Sequence, residues 1–411
     1  MGNPNDENRM TTPEAGARTS VSAGSAQPGI QASTAWPGMV SAVSARWELA
    51  GRAWVLVLAC LALVPRPLLA QAPARTAEGF ALPQAGHAYS FPRDHGSHPE
   101  FKIEWWYVTG HLWAEDGKRF GYQATFFRNA SPDRSVQIYL AHMALIDVST
   151  GRFYHQERLN REGWDAGAAV GALALHNGPW SLKAESADSE EMHLRGGVRA
   201  EVQFDLRLRP EKPHVIFGED GVSRKGTDPT AASYYITFTR LAAAGTLRVD
   251  GKEHRVTGQS WMDHEISSSQ LSRNQVGWDW VSIQLKDGRE VMFYRLRQAD
   301  GSSDPASRLT WIDRQGGLQT GSFRWEVVES WRSPTTGATY PATVRLRSRD
   351  PQSGEESVFL LEPLVADQEL SGDLAGIAYW EGACRVRNAA GQEIGSAYME
   401  LTGYAEALKL Q

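Results

Sequence analysis

Residues 202–209 read VQFDLRLR, an uninterrupted alternation of apolar and polar side chains that stops at Pro210. Because successive side chains of a strand point to opposite faces, this period of two predicts a strand with one buried face. Similar short segments recur along the chain and end at turns such as Asp-Gly, and no stretch of helical length carries a helical stripe. The pattern predicts an all-β fold, a barrel or a sandwich of short strands. The segments are residues 121–128, 139–147, 152–155, 234–239, 246–251, 281–285, 291–294, 324–328 and 343–347.

Two stretches far apart in the chain resemble each other and indicate an internal duplication. In the first, Trp105-Trp106 precedes an Asp-Gly turn and an aromatic strand that ends at Arg128. In the second, Trp278-Asp279-Trp280 precedes another Asp-Gly turn and an aromatic strand that ends at Arg295. We therefore expect two similar β domains in tandem, at residues 85–262 and 263–411. A cleft between two domains is a favoured position for a ligand site.

The first 72 residues are predicted to precede the fold. Residues 1–45 are rich in small and polar residues, a composition typical of disorder. Two arginines then precede an apolar run at residues 53–64, and residues 70–72 read AQA. This pattern is typical of a secretory signal at about residues 46–72, so we expect a periplasmic or secreted protein. The run is too short to span a membrane, and Cys60 within it offers a lipoprotein site as the less favoured alternative.

The composition argues against several classes of partner and cofactor. The chain has a net charge of −6, which disfavours nucleic acid and strong attraction to anionic lipid headgroups. Cys384 is the one cysteine outside the predicted signal, so an internal disulfide is not expected. We predict no cofactor and no metal, because the sequence carries no nucleotide-binding fingerprint. The histidines at 95 and 98 and the segment 263–265 both lack the spacing of established zinc motifs.

Carboxylates embedded among aromatic residues mark two candidate regions of one site. Polar groups surrounded by indole rings predict a pocket for an apolar ligand near the domain junction. The candidates for acid or base chemistry are Asp263, His264 and Glu265. The candidates for ligand binding are Glu104, Trp105, Trp106, Tyr107, Trp261, Trp278 and Trp280.

A structural interpretation of the same residues stays open at this point. The segment 263–265 could form a buried polar network that holds the junction together, and Glu104 could pair with Arg128 or Arg295. Because side chains alternate along a strand, Trp106 and Tyr107 point to opposite sides, and one of the two can line a pocket. His142, in an apolar strand, is predicted to be a core histidine.

Two motifs resemble those of a known family. Residues 101–112, FKIEWWYVTGHL, resemble the opening motif of the carotenoid 1,2-hydratase-like and AttH-like lipocalin-related proteins. Residues 258–265, GQSWMDHE, and 277–280, GWDW, resemble its second block. The resemblance implies two lipocalin-like β domains in tandem. It also implies an activity, because members include hydratases that add water to the terminal double bond of acyclic carotenoids, and distant relatives cyclise polyketides.

The resemblance places the proton-donating acid of the hydratases on Asp263. In the hydratases a Tyr stands two residues before that Asp; here Trp261 holds the place, so a proton relay through that Tyr is not expected. An acid that protonates an alkene has to be neutral, and burial favours the neutral form. Aromatic faces stabilise the resulting cation. We predict an exported binder of an apolar molecule or lipid, with a transporter or membrane component as a further candidate partner. The alternative is an acid-catalysed hydratase, isomerase or cyclase that uses Asp263.

Overall fold

The computed structural model describes residues 74–372, 374 and 378–408, and their regular secondary structure consists almost entirely of antiparallel β-strands. One short 3-10 helix lies at Arg93–His95, and among the described residues no helix is long and apolar enough to cross a membrane. The predicted leader and secretory signal, including Cys60, lie outside the described residues. The all-β prediction is confirmed, with two lipocalin-like halves.

The first half is a 13-stranded sheet that curls into a nearly closed barrel. Its main path runs in the order β4-β3-β2-β1-β13-β12-β9-β8-β7-β6-β5, and β10 and β11 pair with β12. The alternating segment that opens at Val202 forms β9, as predicted. The strands are β1 (Ile103–Ala114), β2 (Arg119–Ala130), β3 (Gln137–Asp147), β4 (Arg152–Arg161), β5 (Ala166–Ala168), β6 (Ala174–Asn177), β7 (Trp180–Ala184), β8 (Met192–Val198), β9 (Val202–Pro210), β10 (Val215–Phe217), β11 (Ser223–Arg224), β12 (Ala232–Val249) and β13 (Lys252–Ser269).

The second half is a ten-stranded sheet that forms a half-barrel, beside a two-stranded sheet of β19 and β20. Its path is β17-β16-β15-β14-β25-β24-β22-β21-β18, and β23 pairs with β24. The strands are β14 (Gln275–Leu285), β15 (Glu290–Gln298), β16 (Arg308–Ile312), β17 (Leu318–Gly321), β18 (Arg324–Val327), β19 (Ser330–Arg332), β20 (Thr339–Pro341), β21 (Val344–Arg349), β22 (Glu356–Pro363), β23 (Glu369–Ser371), β24 (Ala378–Arg387) and β25 (Glu393–Leu401).

The two sheets share one strand order. In each, the first long strand lies between the second strand and the last one, so β1 corresponds to β14, β2 to β15, β13 to β25 and β12 to β24. The two hairpins that resemble each other in sequence are β1–β2 and β14–β15, and they occupy equivalent places. The predicted division between residues 262 and 263 falls inside β13, and the change from one sheet to the other comes later, at residues 270–274.

Apolar side chains form a core inside each half and a third cluster between them. Trp106 and Val108 of β1 belong to the core of the first half, whereas Tyr107 between them belongs to the cluster at the junction. This follows from the alternation of side chains along a strand. The sheets approach closely: a Cβ added to Gly121 would lie 2.5 Å from the Cβ of Ala383. Both halves therefore belong to one compact unit, and a cavity lies where they meet.

Candidate functional site

A cavity of about 150 Å³ lies between the two sheets. Its wall is mainly aromatic and aliphatic, with side chains from β1, β2, β3, β12 and β13 of the first sheet and from β14, β15, β24 and β25 of the second. Lys225, Gln270, Leu271, Thr402 and Leu408, which lie outside the strands, complete it. An apolar wall with a few converging polar groups is the usual character of a small-molecule site.

Six of the ten predicted site residues line this cavity and four do not. The six are Trp105, Tyr107, Asp263, Glu265, Trp278 and Trp280. The other four, Glu104, Trp106, Trp261 and His264, are buried outside its wall. His264 points away because it lies between Asp263 and Glu265 on β13, and alternation turns it to the opposite face of the sheet. The alternation of side chains, applied to residues 263–265, would have predicted from the sequence that His264 faces away from Asp263 and Glu265.

Asp263 is the most densely hydrogen-bonded acid of the cavity. It is 3 % exposed. The Trp261 indole N–H and the Thr237 hydroxyl donate to its Oδ1 over 2.7 and 2.6 Å, and the Tyr235 hydroxyl donates to Oδ2 over 2.7 Å. Burial raises the pKa of Asp263 to about 7; the three hydrogen bonds oppose the shift and the charge of Glu265 adds to it. Near neutral pH this carboxyl is therefore present in both its protonated and its ionised form.

The Tyr235 hydroxyl restores a tyrosine–aspartate contact that the sequence had not led us to expect. The Trp280 indole N–H donates to the Tyr235 hydroxyl over 3.0 Å, and that hydroxyl in turn donates to Asp263. Tyr235 comes from β12, which pairs with β13. A chain of donors thus runs from Trp280 through Tyr235 to Asp263. The aromatic run at residues 234–235 was the available signal.

Glu265 is held by a positive charge. The Lys225 ammonium lies 3.1 Å from Glu265 Oε1, and the Gln270 amide donates to Oε2 over 3.3 Å. The same ammonium lies over the rings of Tyr235 and Tyr294, 4.5 and 4.7 Å from their centroids. Lys225 therefore occupies a cation site made of one carboxylate and two aromatic faces.

Two further acids of the cavity, Glu381 and Glu400, were missed by the sequence reasoning. They lie directly opposite each other on β24 and β25. The Trp278 indole N–H donates to Glu400 Oε2 over 3.0 Å. Burial and the charges of Asp263 and Glu265 raise the pKa of Glu400 to about 7, against that hydrogen bond.

Glu381 is the more deeply buried of the pair, at 1 % exposure. Burial, followed by the charge of Glu400, raises its pKa well above the ordinary value, although the nearby hydroxyls of Tyr107 and Tyr379 lower it in part. Within residues 74–372, 374 and 378–408, neither of its carboxyl oxygens has a partner in hydrogen-bonding geometry. His142, predicted as a core residue, is buried and also lines the cavity, where its Nδ1 lies 2.6 Å from the Tyr379 hydroxyl.

Glu104 belongs to a separate network on the other face of the first sheet. Arg128 donates to its Oε2 over 2.9 Å, and His98 and His264 each lie 2.9 Å from Oε1. Burial opposes ionisation, but the hydrogen bonds of the two histidines and the charge of Arg128 outweigh it and hold the pKa of Glu104 well below its usual range. Trp106 stacks on His264 with 4.6 Å between ring centroids. The structural interpretation therefore applies to Glu104, Trp106 and His264.

Two groups of histidine and glutamate side chains are close enough together to share a metal ion. One is His98, Glu104 and His264, and the other is His95, Glu190 and His214. In the first, the Arg128 guanidinium already binds Glu104, so a further cation would face a positive charge. In the second, His95 and His214 both contact Glu190 Oε1, over 3.2 and 2.9 Å. In both groups the histidines already contact the carboxylate, while Nδ1 of His264 in the first and Nδ1 of His95 in the second have no hydrogen-bond partner among the described residues.

Comparison with known proteins agrees with this architecture. The model of the AttH-like family matches residues 82–404. The crystal structure of a putative AttH from Nitrosomonas europaea is 36% identical, with a TM-score of 0.70 over 78% of this chain and 98% of that one. Kievitone hydratase from Nectria haematococca shares the fold, with a TM-score of 0.61 at 14% identity over 82% of this chain and 97% of that one.

A curated relative matches over a shorter stretch. The ceramide-binding protein svf1 of Schizosaccharomyces pombe is 23% identical over 108 residues, which are 26% of this chain. The match spans 28% of that protein's length.

Proposed function

The chain belongs to the AttH-like family, and from that premise we propose that it binds an apolar molecule, an isoprenoid, a polyene or a lipid, in the cavity between its two sheets. The observation that carries this proposal is the wall of the cavity, where Trp105, Trp278 and Trp280 lie among aliphatic side chains and a few acids. Transfer of a long apolar ligand from water to such a wall is favourable by roughly 25 cal/mol per Å² of apolar surface buried.

Two further observations support the ligand class and the setting. The partial match to a ceramide-binding protein fits a lipid-like ligand. The basic and apolar pattern at about residues 46–72 supports export, and a binder outside the cytoplasm would hold such a molecule away from water. A transporter or membrane component as partner stays a prediction from that same pattern.

Tryptophan fluorescence tests the binding proposal directly. Addition of a long-chain lipid or a polyene should quench the emission of the cavity indoles in a saturable way. The variant Trp105→Ala should weaken binding about tenfold, since a buried aromatic contact is lost. The matched control is Trp164→Ala, whose residue is 75 % exposed and does not line the cavity, and it should bind as the unchanged protein does. The proposal fails if no lipid or polyene quenches the emission.

Acid catalysis by Asp263 is the second candidate, and one observation favours it. Its carboxyl is buried against indoles, receives the donor chain through Tyr235, and has a pKa of about 7. It could therefore supply a proton to an alkene of the bound ligand and recover it from the water that captures the cation, as hydration requires. Trp280 and Tyr107, packed edge to face, would surround the positive charge.

The variant Asp263→Asn separates the two candidates. If the protein is a hydratase, isomerase or cyclase, the variant should still bind a polyene but form no product. Mass spectrometry of the products measures hydration directly, because addition of water raises the mass of the ligand by about 18 Da. If the unchanged protein turns over no polyene and the variant binds normally, the binding function stands alone.

A further inference from the structure

The second sheet places two acids where the first sheet has one acid and a tyrosine. Glu265 lies opposite Trp105 on β1 and Tyr235 on β12, and Glu400 lies opposite Trp280 on β14 and Glu381 on β24. By this register Glu400 is the counterpart of Glu265. In the first sheet, Lys225 pairs with the acid. In the second sheet the position that corresponds to Tyr235 holds Glu381, another acid.

The charge of the cavity wall is not balanced. Four carboxyl groups line it, whereas Lys225 is the one lysine or arginine among the lining residues that the structure describes, and it already pairs with Glu265. His142 is engaged by the Tyr379 hydroxyl and by Glu157, which lies 3.2 Å from its Nε2. The carboxyl groups in question are Asp263, Glu265, Glu381 and Glu400.

Glu381 and Glu400 are the two acids of the cavity whose carboxyl oxygens can accept further hydrogen bonds. Like charges directly opposite on neighbouring strands repel each other, so both can ionise only when a cation joins them. Glu400 receives one hydrogen bond from Trp278. Glu381 is 1 % exposed; the hydroxyls of Tyr107 and Tyr379 lie near it, but neither carboxyl oxygen receives a hydrogen bond of full geometry from a residue in the described part of the chain. A buried acid without a partner carries a desolvation penalty that a bound donor would remove.

Lys225 shows what the cavity accepts at the equivalent position. Its ammonium is bound by one carboxylate and by the faces of Tyr235 and Tyr294. The second sheet offers two carboxyl groups, with the indoles of Trp278 and Trp280 beside them. This combination of negative and aromatic groups suits a cation, and it is unsuited to a carboxylate.

From this geometry we infer that Glu381 and Glu400 bind a protonated amine, so that the ligand is an apolar molecule with a basic nitrogen at one end. The inference rests on the proposed binding function and names the ligand class. The ammonium group donates hydrogen bonds to both carboxylates and takes the place that Lys225 takes beside Glu265. The apolar part of the ligand extends along the aromatic wall.

Three probes with the same alkyl chain test the inference: dodecylamine, dodecanol and dodecanoate. At about pH 8 the amine is protonated and the acid ionised, so probes with the same number of carbons carry a cationic, a neutral and an anionic head. Binding is measured by quenching of tryptophan emission. The amine should bind about tenfold more tightly than the alcohol, and the carboxylate most weakly of the three. Equal binding of amine and alcohol, or strongest binding of the carboxylate, overturns the inference and leaves the binding function intact. Failure of all three probes to quench overturns both.

Variants test whether Glu381 and Glu400 are responsible for the preference for the amine. Glu381→Gln and Glu400→Gln keep the side-chain size and remove the charge, and each should lower the affinity for dodecylamine by about tenfold while dodecanol binds as before. The matched control is Glu356→Gln, since Glu356 is an exposed acid on β22 that pairs with Arg347 outside the cavity. Unchanged affinity of both cavity variants for the amine overturns the inference. Circular dichroism checks their folding, and if one unfolds, the ranking of the three probes on the unchanged protein decides.

Discussion

The two halves of the molecule repeat the same arrangement of strands and differ where they face the cavity. On β1, Glu104 lies directly opposite Arg128 of β2, and on β14, Asp279 lies directly opposite Arg295 of β15. Both acids are fully buried and paired with those arginines. The sequence likeness of the two hairpins therefore reflects a buried ion pair that each half uses to join its first two strands.

The two halves differ at positions near the cavity that carry ionisable side chains. The register that aligns Glu104 with Asp279 also aligns Asp263 with Tyr398, and Tyr235 with Glu381. The first half thus contributes Asp263, an acid with three well-formed donors, and the second half contributes Glu381, which has two tyrosine hydroxyls nearby but no hydrogen bond of full geometry among the described residues. The shared register of the strands maintains the fold, and the different side chains at equivalent positions of the junction form the site.

Loss of the buried arginine should produce the largest effect, and it should differ between the halves. Arg128→Leu leaves Glu104 as a buried charge without its cation and should lower the free energy of unfolding by about 3–5 kcal/mol. Arg295→Leu should cost less, because Asp279 keeps Arg297 at 3.0 Å and the Tyr404 hydroxyl at 2.8 Å. Urea denaturation followed by circular dichroism measures both.

The surface pair Arg347–Glu356 provides the control for these variants. Arg347→Leu removes a partly exposed guanidinium from an exposed pair and should change stability by about 0–1 kcal/mol. Equal losses for Arg128→Leu and Arg295→Leu would show that Arg297 and Tyr404 do not compensate in the second half, and the comparison would then rest on topology alone.

The strands could be predicted from the sequence because their signal is local. The alternation at Val202–Arg209 predicted β9, and the Asp-Gly pairs predicted turns such as the one at Asp250 and Gly251, where both residues have positive φ. Glycine adopts that conformation without steric cost, and Asp tolerates it better than most residues. The positions of Trp105, Tyr107, Asp263 and Glu265 on the cavity follow from the same period of two, as does the error at His264.

The missing half of the site could not be predicted, because its signal is not local. Glu381 and Glu400 lie in unremarkable strands, and they reach the cavity through the pairing of β25 with β14, which joins residues more than a hundred positions apart. Lys225 comes from a loop and meets Glu265 across the fold. Long-range pairing and electrostatic partners of this kind depend on the completed topology.

The acid of the first half should destabilise the protein above neutral pH. The pKa of Asp263 is raised in the folded state to about 7, whereas in the unfolded chain it is near 4, so between these values the unfolded state releases the proton first. Stability is therefore lost as the pH rises from about 4 to 7. Asp263→Asn removes this loss and should raise the free energy of unfolding by about 2 kcal/mol at pH 8, with little change at pH 4.

Denaturation at the two pH values checks that expectation. The Asn carboxamide oxygen can still accept from Trp261 and Thr237, so the variant preserves the contacts at Oδ1. A stabilisation of the same size at both pH values would mean that packing and not ionisation is responsible. Tyr398, the register counterpart in the second half, makes no such contribution between pH 4 and 8, since burial raises its pKa well above the ordinary value for tyrosine.

The smallest effect on the site should come from Tyr235, whose hydroxyl donates to Asp263. Tyr235→Phe removes the donor to Asp263 Oδ2 and the acceptor of the Trp280 indole N–H, and should cost about 1–2 kcal/mol of stability. With one donor fewer, the ionised form of Asp263 is less stabilised, so its pKa should rise by about one unit, which corresponds to about 1.4 kcal/mol. Carbon-13 NMR titration of the carboxyl measures the shift. Trp261→Phe, which removes a donor to Oδ1, should move the pKa in the same direction. Unchanged titration in both variants would show that burial alone sets the acidity of Asp263, and the donor chain would then have no part in its chemistry.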